Sequence, residues 1–413
     1  MSCDWGRVPL SSLGKIVTGK TPPSKVIDAF VNGSVPFVTP RDLDDRKWIK
    51  TTERYLSNTG LESVKGNIVP AHSVAVSCIG SDMGKARLLS VKSVTNQQIN
   101  TILVNSELHN PEYIYYVLST KQQSLKDIAG GSATPILNKS HFGQFEIDLP
   151  SKGYQNAVVD VLRGLDSKIE INTQTNQTLE QMAQAIFKSW FVDFDPVKAK
   201  MNGEQPEGMD AATASLFPDK LVESELGLIP EGWEVCLLNQ KSEIKYGKNL
   251  PKTKLLDEGY PVFGGNGVIG YYSSYLYEDE QVLVSCRGAA SGKVLRSLPK
   301  SFITNNSLVI DLSNSVLNIN YVEPYLKGCN LEEYTSGSAQ PQMTVANMAP
   351  VQILVPSEDI LKSFDEVVKP LKSKIRANER QNLSLAALRD TLLPKLLSGE
   401  IELGETEEMA EVN

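Results

Sequence analysis

The chain has 413 residues, 41% of them hydrophobic and 22% charged, with a formal net charge of −8. Those values are ordinary for globular proteins and suggest two or three domains. They argue against nucleic-acid binding spread over the whole surface. Five cysteines without a Cys-x-x-Cys and three scattered histidines give no zinc pattern and point to a reduced, cytoplasmic protein. The opening MSCDWGRVPL has no signal-peptide core, and no run of 18 apolar residues suggests a membrane span.

Charge is unevenly placed. Residues 1–150 carry 16 basic against 13 acidic side chains, 151–230 carry 7 against 12, 231–356 carry 10 against 12, and 357–413 carry 8 against 12. Local placement must therefore decide whether the chain meets DNA.

In chain order, residues 5–150 read as short apolar runs such as VAVSCI and INTILV, separated by Gly, Pro, Asn and Ser clusters. That texture predicts strands with a few helices. GKIVTGKT (14–21) matches a phosphate-loop pattern, but Pro22 and Pro23 follow where a helix would have to start. NPEY (110–113) resembles the N-P-P-Y of amino-methyltransferases with Glu112 in place of the second Pro, and reads better as a helix cap at Asn110. Cys78 sits in a strand-like VSC and is expected in the core.

Residues 158–190 carry a heptad seam from Val158 to Trp190, with Asn172 and Asn176 at its middle. The helix is expected to stop near FVDFDP, at Pro196. Residues 198–230, polar and punctuated by Gly and Pro, read as a long return linker. Residues 231–356 then resume the strand texture, with Cys286 again in a VSC phrase. GNGVIG (265–270) reads as a glycine-rich turn because no helix pattern follows it. A second seam runs from Phe364 to Leu396 with Asn378 and Asn382 at its centre. A kink is expected at Pro370 and fraying before Pro394. The last residues, 401–413, read as an acidic tail.

The chain is a tandem repeat. GGSATPILNKSHFGQFEIDLP (130–150) and SGSAQPQMTVANMAPVQILVP (336–356) agree at Gly, Ser, Ala, Pro, Ile and the last Pro. SKIEINTQTNQTL overlays SKIRANERQNLSL. Near the start of each half, Trp5, Ile16, Gly19, Lys20 and Pro23 meet Trp233, Ile244, Gly247, Lys248 and Pro251. The phosphate-loop match does not survive this comparison, since the second half keeps only I-x-x-G-K-x-x-P.

Five polar loops recur instead. In the first half they are TGKTPPSK, TPRDLDD, GSDMGK, TNQQINT and GGSATPILNK. In the second they are YGKNLPKTK, FGGNGVIG, RGAASGK, TNNS and SGSAQPQMT. Their side chains are those that hold phosphates and read base edges. Lys20, Lys85, Lys248 and Lys293 are the expected phosphate contacts. Arg41, Gln97, Gln98 and Asn100 are the expected base readers of one half, with Asn266, Arg287, Asn305 and Gln340 in the other. Thr21, Thr39, Thr134, Lys139, Asn306 and Gln342 complete the candidate set. No catalytic or metal-binding constellation is present in the pattern.

With FKSWFVDFDPVKAK (187–200), LIPEGWEV (228–235) and GSATPILNKSHF (131–142), the duplicated order resembles the specificity subunit of type I restriction-modification enzymes over essentially the whole chain. The resemblance implies a mixed α/β (α+β) fold with target-recognition domains at 1–150 and 231–356. It implies conserved antiparallel spacer helices at 151–197 and 357–400. It also implies double-stranded DNA read as a split site, two methyltransferase subunits docked on the helices, and restriction subunits. AdoMet, ATP and Mg would then belong to those partners and none to this chain. The rival readings are a two-domain adaptor for protein or carbohydrate, and a self-sufficient methyltransferase-nuclease. If the helices pair antiparallel about a pseudo-two-fold, Asn172 faces Asn382, Asn176 faces Asn378, and Arg389 falls against Leu165. Seams of about 33 residues would span roughly 50 Å.

Overall fold

The computed structural model describes residues 5–129, 136–337, 341–401 and 403. Two compact units share one plan: Met1–Ile171 with Gln381–Asn413, and Asn172–Arg380. In the first, a five-stranded sheet runs in the order Gly14–Thr18, Ile99–Val104, Val74–Ser77, Ala86–Leu89, Trp48–Ile49. The first four strands pair antiparallel, and the short edge strand joins in parallel. A four-stranded sheet beside it contains the parallel pair Val35–Val38 with Ser93–Thr95.

Val74–Ser77 shows why VAVSC is apolar throughout. Val74 and Val76 face a core with Tyr113 and Val117 of the helix Pro111–Ser119, while Ala75 faces a second core with Val17 and Leu89. A strand buried on both faces loses the polar alternation. The second unit repeats four of these strands as Glu243–Tyr246, Ser307–Asp311, Val282–Ser285 and Val294–Arg296. It also repeats the parallel pair as Tyr260–Gly264 with Phe302–Ile303. Between residues 39 and 69 the repeat keeps only one strand, Arg54–Leu56 standing where Gly267–Tyr272 stands in the second unit. There the first unit has Trp48–Ile49, Arg54–Leu56, the helix Asn58–Ser63 and Ile68–Val69. The second unit has only a hairpin closing on Gly267–Tyr272.

In each unit a terminal strand pair brings the start of the strand-rich segment back to its end. Gly6–Pro9 pairs with Glu146–Leu149, and Glu234–Leu237 with Gln352–Val355. The helices Lys152–Phe191 and Glu358–Leu397 follow, 40 residues each.

Pro394 departs from expectation, since the second helix does not fray before it. That helix is continuous across both Pro370 and Pro394. A missing N–H in a helix costs about 3 kcal/mol. Here Leu392, Leu393, Leu396 and Leu397 pack into the first unit's core, and Val368 and Leu371 into the second's. Burial on that scale offsets the lost bond. Pro196 does not merely stop the first helix. Phe194 takes a left-handed conformation (φ 54°), and Pro196 lies in the first turn of a new helix, Asp195–Met201.

The stretch 198–230 is folded, not an open return connection. It holds the helix Ala211–Leu216 and the hairpin Leu221–Ser224 with Gly227–Pro230. Phe217 and Ile229 are buried beside Trp190, Phe191, Val197 and Trp233. Two large apolar side chains, Phe217 and Ile229, anchor a stretch that is otherwise mostly polar or small. Among the described residues no helix is long and apolar enough to cross a membrane.

Candidate nucleic-acid interface

The repeated loops converge on one sheet edge in each unit because strand directions require it. Thr18 pairs with Asn100 and Ser77 with Ile99, so the loops leaving Thr18 and Ser77 lie beside the loop entering Ile99. Val38 and Thr95 end in parallel at the same edge, where Asn96 N donates to Val38 O at 2.9 Å.

The G-K pairs are the hinge of this arrangement. Gly19 N donates to Ile99 O (3.0 Å) and Lys20 N to Thr95 O (2.8 Å); Gly247 N donates to Ser307 O (3.1 Å) and Lys248 N to Ile303 O (2.9 Å). A Cβ on Gly19 would lie 2.1 Å from Asn96 O, and one on Gly247 2.3 Å from Thr304 O. Both glycines are there for close backbone approach. No helix begins at Lys20, so the phosphate-loop spelling has no phosphate-loop geometry. GNGVIG likewise forms a hairpin turn between Tyr260–Gly264 and Gly267–Tyr272.

A second frame holds the other loops. Cys78 N donates to Gln98 O (2.8 Å) and Leu137 N to Cys78 O (2.9 Å). The second unit repeats both bonds as Cys286 N to Asn306 O (2.9 Å) and Met343 N to Cys286 O (2.9 Å). Burial pushes the Cys78 thiol up to about 12 and the Cys286 thiol up to about 11, which keeps both protonated as core residues. NPEY is a cap: Asn110 Oδ1 accepts from Glu112 N (2.9 Å) and Tyr113 N (3.4 Å).

The candidate side chains fall into distinct groups. Lys20, Arg41, Lys139, Lys248 and Arg287 are exposed and have no ion-pair partner among the described residues. Lys139 begins the short helix Lys139–Gln144. Thr21 Oγ1 donates to Gln97 Oε1 (2.6 Å) on the rim, and Gln98 Oε1 accepts from Asn96 (3.1 Å). Lys85 pairs with Asp82 at 2.9 Å, whereas Lys293 Nζ donates to Asn266 Oδ1 at 2.6 Å. Asn305 and Asn306 are half-buried. The exposed Gln342 pairs through its backbone with Ser336 and bridges to Arg287. Thr134 and Gln340 lie outside the described residues.

Two expectations need correction. Asn100 does not sit in a loop. It lies in Ile99–Val104, 2% exposed, and is bonded to Thr18 Oγ1 (2.6 Å) and Leu137 O (3.3 Å), so it cannot reach a base. The phrase TNQQIN hides the strand start, and Ile99–Ile102 are buried on both faces of the sheet, Asn100 with them. Thr39 is committed to a cap, its amide and hydroxyl both donating to Asp42 Oδ2 at 2.7 Å.

In the first unit, Thr39, Arg41, Glu53, Arg54, Ser81, Asp82 and Gln98 line an open groove of about 560 Å³. Arg54, Glu53, Ser81 and Asp82 were not among the candidates. The Arg54 guanidinium lies over Phe30 (4.5 Å) and Phe37 (5.1 Å), which fixes its plane at the groove wall. Its strand, Arg54–Leu56, pairs with Val35–Val38 as Gly267–Tyr272 pairs with Tyr260–Gly264, but the turns leading to the two strands differ, so the repeat does not point to Arg54. Guanidinium groups and carboxylates sharing a groove supply donors for guanine and acceptors for the cytosine amino group.

The helices carry a different kind of site. In the second unit Asn378 Nδ2 donates to Asn176 Oδ1 (2.8 Å), Asn176 Nδ2 donates to Ile375 O (3.2 Å), and Lys372 pairs with Glu180 (2.6 Å). The descending partners of rising residues make the packing antiparallel, with the Asn176–Asn378 layer as expected. Asn172 and Asn378 are buried, and Asn382 is half-buried. In the first unit Arg389 meets Asp166 at 3.2 Å rather than Leu165, which removes the awkward cation from the seam. Asp166 also accepts from Tyr116 OH (2.5 Å) and Lys47 (3.3 Å), and Glu112 pairs with Lys47 (2.8 Å) and Arg163 (2.7 Å). These contacts fasten the first helix to its recognition sheet. In the second unit Arg296 pairs with Glu323 (2.6 Å), and Asn320 donates to Asp365 (2.6 Å).

Known proteins agree with this geometry. The type I restriction enzyme MjaIX specificity subunit of Methanocaldococcus jannaschii is 28% identical, covering 97% of this chain and 94% of that protein. The HindI specificity subunit of Haemophilus influenzae is 29% identical, covering 75% and 81%. The crystal structure of the type I restriction-modification S subunit from M. genitalium superposes with a TM-score of 0.61 at 17% identity. It covers 95% of this chain and 96% of that one, and so shares the fold. Nothing in these relatives favours the adaptor reading. A model described as the type I restriction modification DNA specificity domain matches twice, at residues 3–181 and 230–385, and the chain belongs to that family.

Proposed function

We propose that this chain is the sequence-reading subunit of a type I restriction-modification enzyme. Each recognition half reads one part of a split double-stranded DNA site in the cytoplasm. One observation carries the reading: the same backbone frame presents four polar loops, and the described part of a fifth, at one sheet edge in both units, while the loop side chains differ. A shared frame with divergent tips is what two related but unequal half-sites require.

Lys20, Lys248 and Lys293 hold phosphates. Arg41, Arg54 and Gln98 read the first half-site; Asn266, Arg287 and Gln342 read the second. The paired helices give two methyltransferase subunits equivalent seats, and restriction subunits join that assembly. AdoMet, ATP and Mg act in those partners, and methyl transfer and base flipping belong to them as well.

The test is binding of the full chain, with its methyltransferase partner, to duplex DNA. The DNA carries the motif found by methylation mapping of the host with and without this gene. Affinity falling steeply with salt, and site preference surviving it, is the expected result. No duplex binding at any salt would overturn the reading.

A further inference from the structure

The two units each contain a Gly-x-x-x-Gly-Lys loop, Gly80–Lys85 and Gly288–Lys293, with one backbone conformation. Gly80 and Gly288 have φ of 74° and 70°, Gly84 and Gly292 of 81° and 86°. Gly84 N donates to Ser77 O (2.8 Å) and Gly292 N to Ser285 O (3.0 Å). Ser77 N donates to Lys85 O (3.0 Å) and Ser285 N to Lys293 O (2.9 Å). Lys85 N donates to Asp82 O (3.0 Å) and Lys293 N to Ala290 O (2.9 Å). The backbone therefore delivers both lysines to the recognition edge in the same way, and side chains alone distinguish them.

The difference lies at the third position. Asp82 places a carboxylate 2.9 Å from Lys85, with the two side chains 44% and 29% exposed, and also lines the groove beside Arg41 and Arg54. The equivalent residue in the second unit is Ala290. Lys293 rests on the neutral Asn266 amide, and no carboxylate pairs with it among the described residues. A phosphate approaching Lys85 must displace a carboxylate; one approaching Lys293 displaces only an amide.

We propose that the two loops grip equivalent phosphates and that Asp82 attenuates the first grip, so that position 82 sets how far binding at the first half-site depends on base contacts. This rests on the DNA-reading function above. An internal counterion weakens contact with any duplex, correct or not, and leaves base contacts to supply the missing affinity. General affinity falls on both duplexes alike, so a larger share of what remains comes from base contacts. The second half, without the carboxylate, supplies the stronger general hold.

The experiment measures salt-dependent binding of the full chain, with its methyltransferase subunit, to a duplex carrying the site and to one lacking it. Backbone bonds close the turn, so Asp82→Ala and Asp82→Asn leave it intact. Both should bind the site-less duplex about threefold more tightly, a change of the size of one exposed ion pair. The slope of log affinity against log salt should steepen by up to about one. Ala290→Asp should do the reverse by a similar factor. If Asp82→Asn instead altered base preference at one position without raising general affinity, Asp82 would be a base reader and the proposal would fail. Unchanged binding in all three variants, or uniform loss in the Asp82 variants, would also overturn it while leaving the DNA-reading function standing. Wild-type chain that bound no duplex would overturn both.

Discussion

The two recognition halves agree in what holds the loops and differ in what the loops carry. Gly19 and Gly247, Cys78 and Cys286, and the two Gly-x-x-x-Gly-Lys turns keep the same backbone bonds. The stretch 39–69 shares with its counterpart only the strand antiparallel to the parallel pair, Arg54–Leu56 against Gly267–Tyr272, and it supplies the Arg41 and Arg54 wall of the groove. Close backbone approach tolerates no side chain, so the frame is held fixed, while the exposed tips are free to diverge. Duplication thus preserved a scaffold for holding loops and released their chemistry.

That comparison can be broken first at the frame. Gly19→Ala and Gly247→Ala each force a Cβ into a carbonyl oxygen and should each cost roughly 3 kcal/mol, read by urea unfolding. Similar losses in the two halves support a common frame; a large loss in only one would show that the frames are not equivalent. The helix layer comes next. Asn378→Leu strands the Asn176 amide and should cost about 2 kcal/mol. Asn176→Leu with Asn378→Leu should recover most of it while loosening the register. Equal stability of single and double variants would show that the 2.8 Å bond does not matter.

At the tips the effects become specific. Arg41→Ala or Arg54→Ala should relax one half-site by about 1.5 kcal/mol and leave the other intact, and Arg287→Ala should do the converse, as judged by competition with single-base variants. The smallest effect belongs to Lys20→Ala and Lys248→Ala. Each should weaken binding to every duplex by about 1 kcal/mol and lower the salt slope by about one. A change of preferred base would make either lysine a reader.

Much of this architecture was legible in the sequence because duplication acts as an internal alignment. Gly19 and Gly247 could be matched without a structure, and the Asn seam gave the Asn176–Asn378 layer directly. Legibility failed where the repeat was silent or where local chemistry misled. Arg54 lies in a strand whose counterpart, Gly267–Tyr272, is reached by a different turn, so no sequence match flags it. Asn100 shares a polar phrase with exposed Gln97 and half-buried Gln98, yet it lies in a strand buried on both faces. Pro394 and the 198–230 segment were misjudged because local propensity cannot weigh tertiary burial of Leu396 or Phe217.

Independent reading by the two halves is the central claim, and exchanging one half tests it most directly. Residues 231–356 would be replaced by the equivalent segment of a family member with a different motif, and the methylated sites of the host mapped at base resolution. The account predicts that one half of the motif changes, while the other half and the spacing between methylated bases stay as they were. A motif altered in both halves would contradict it.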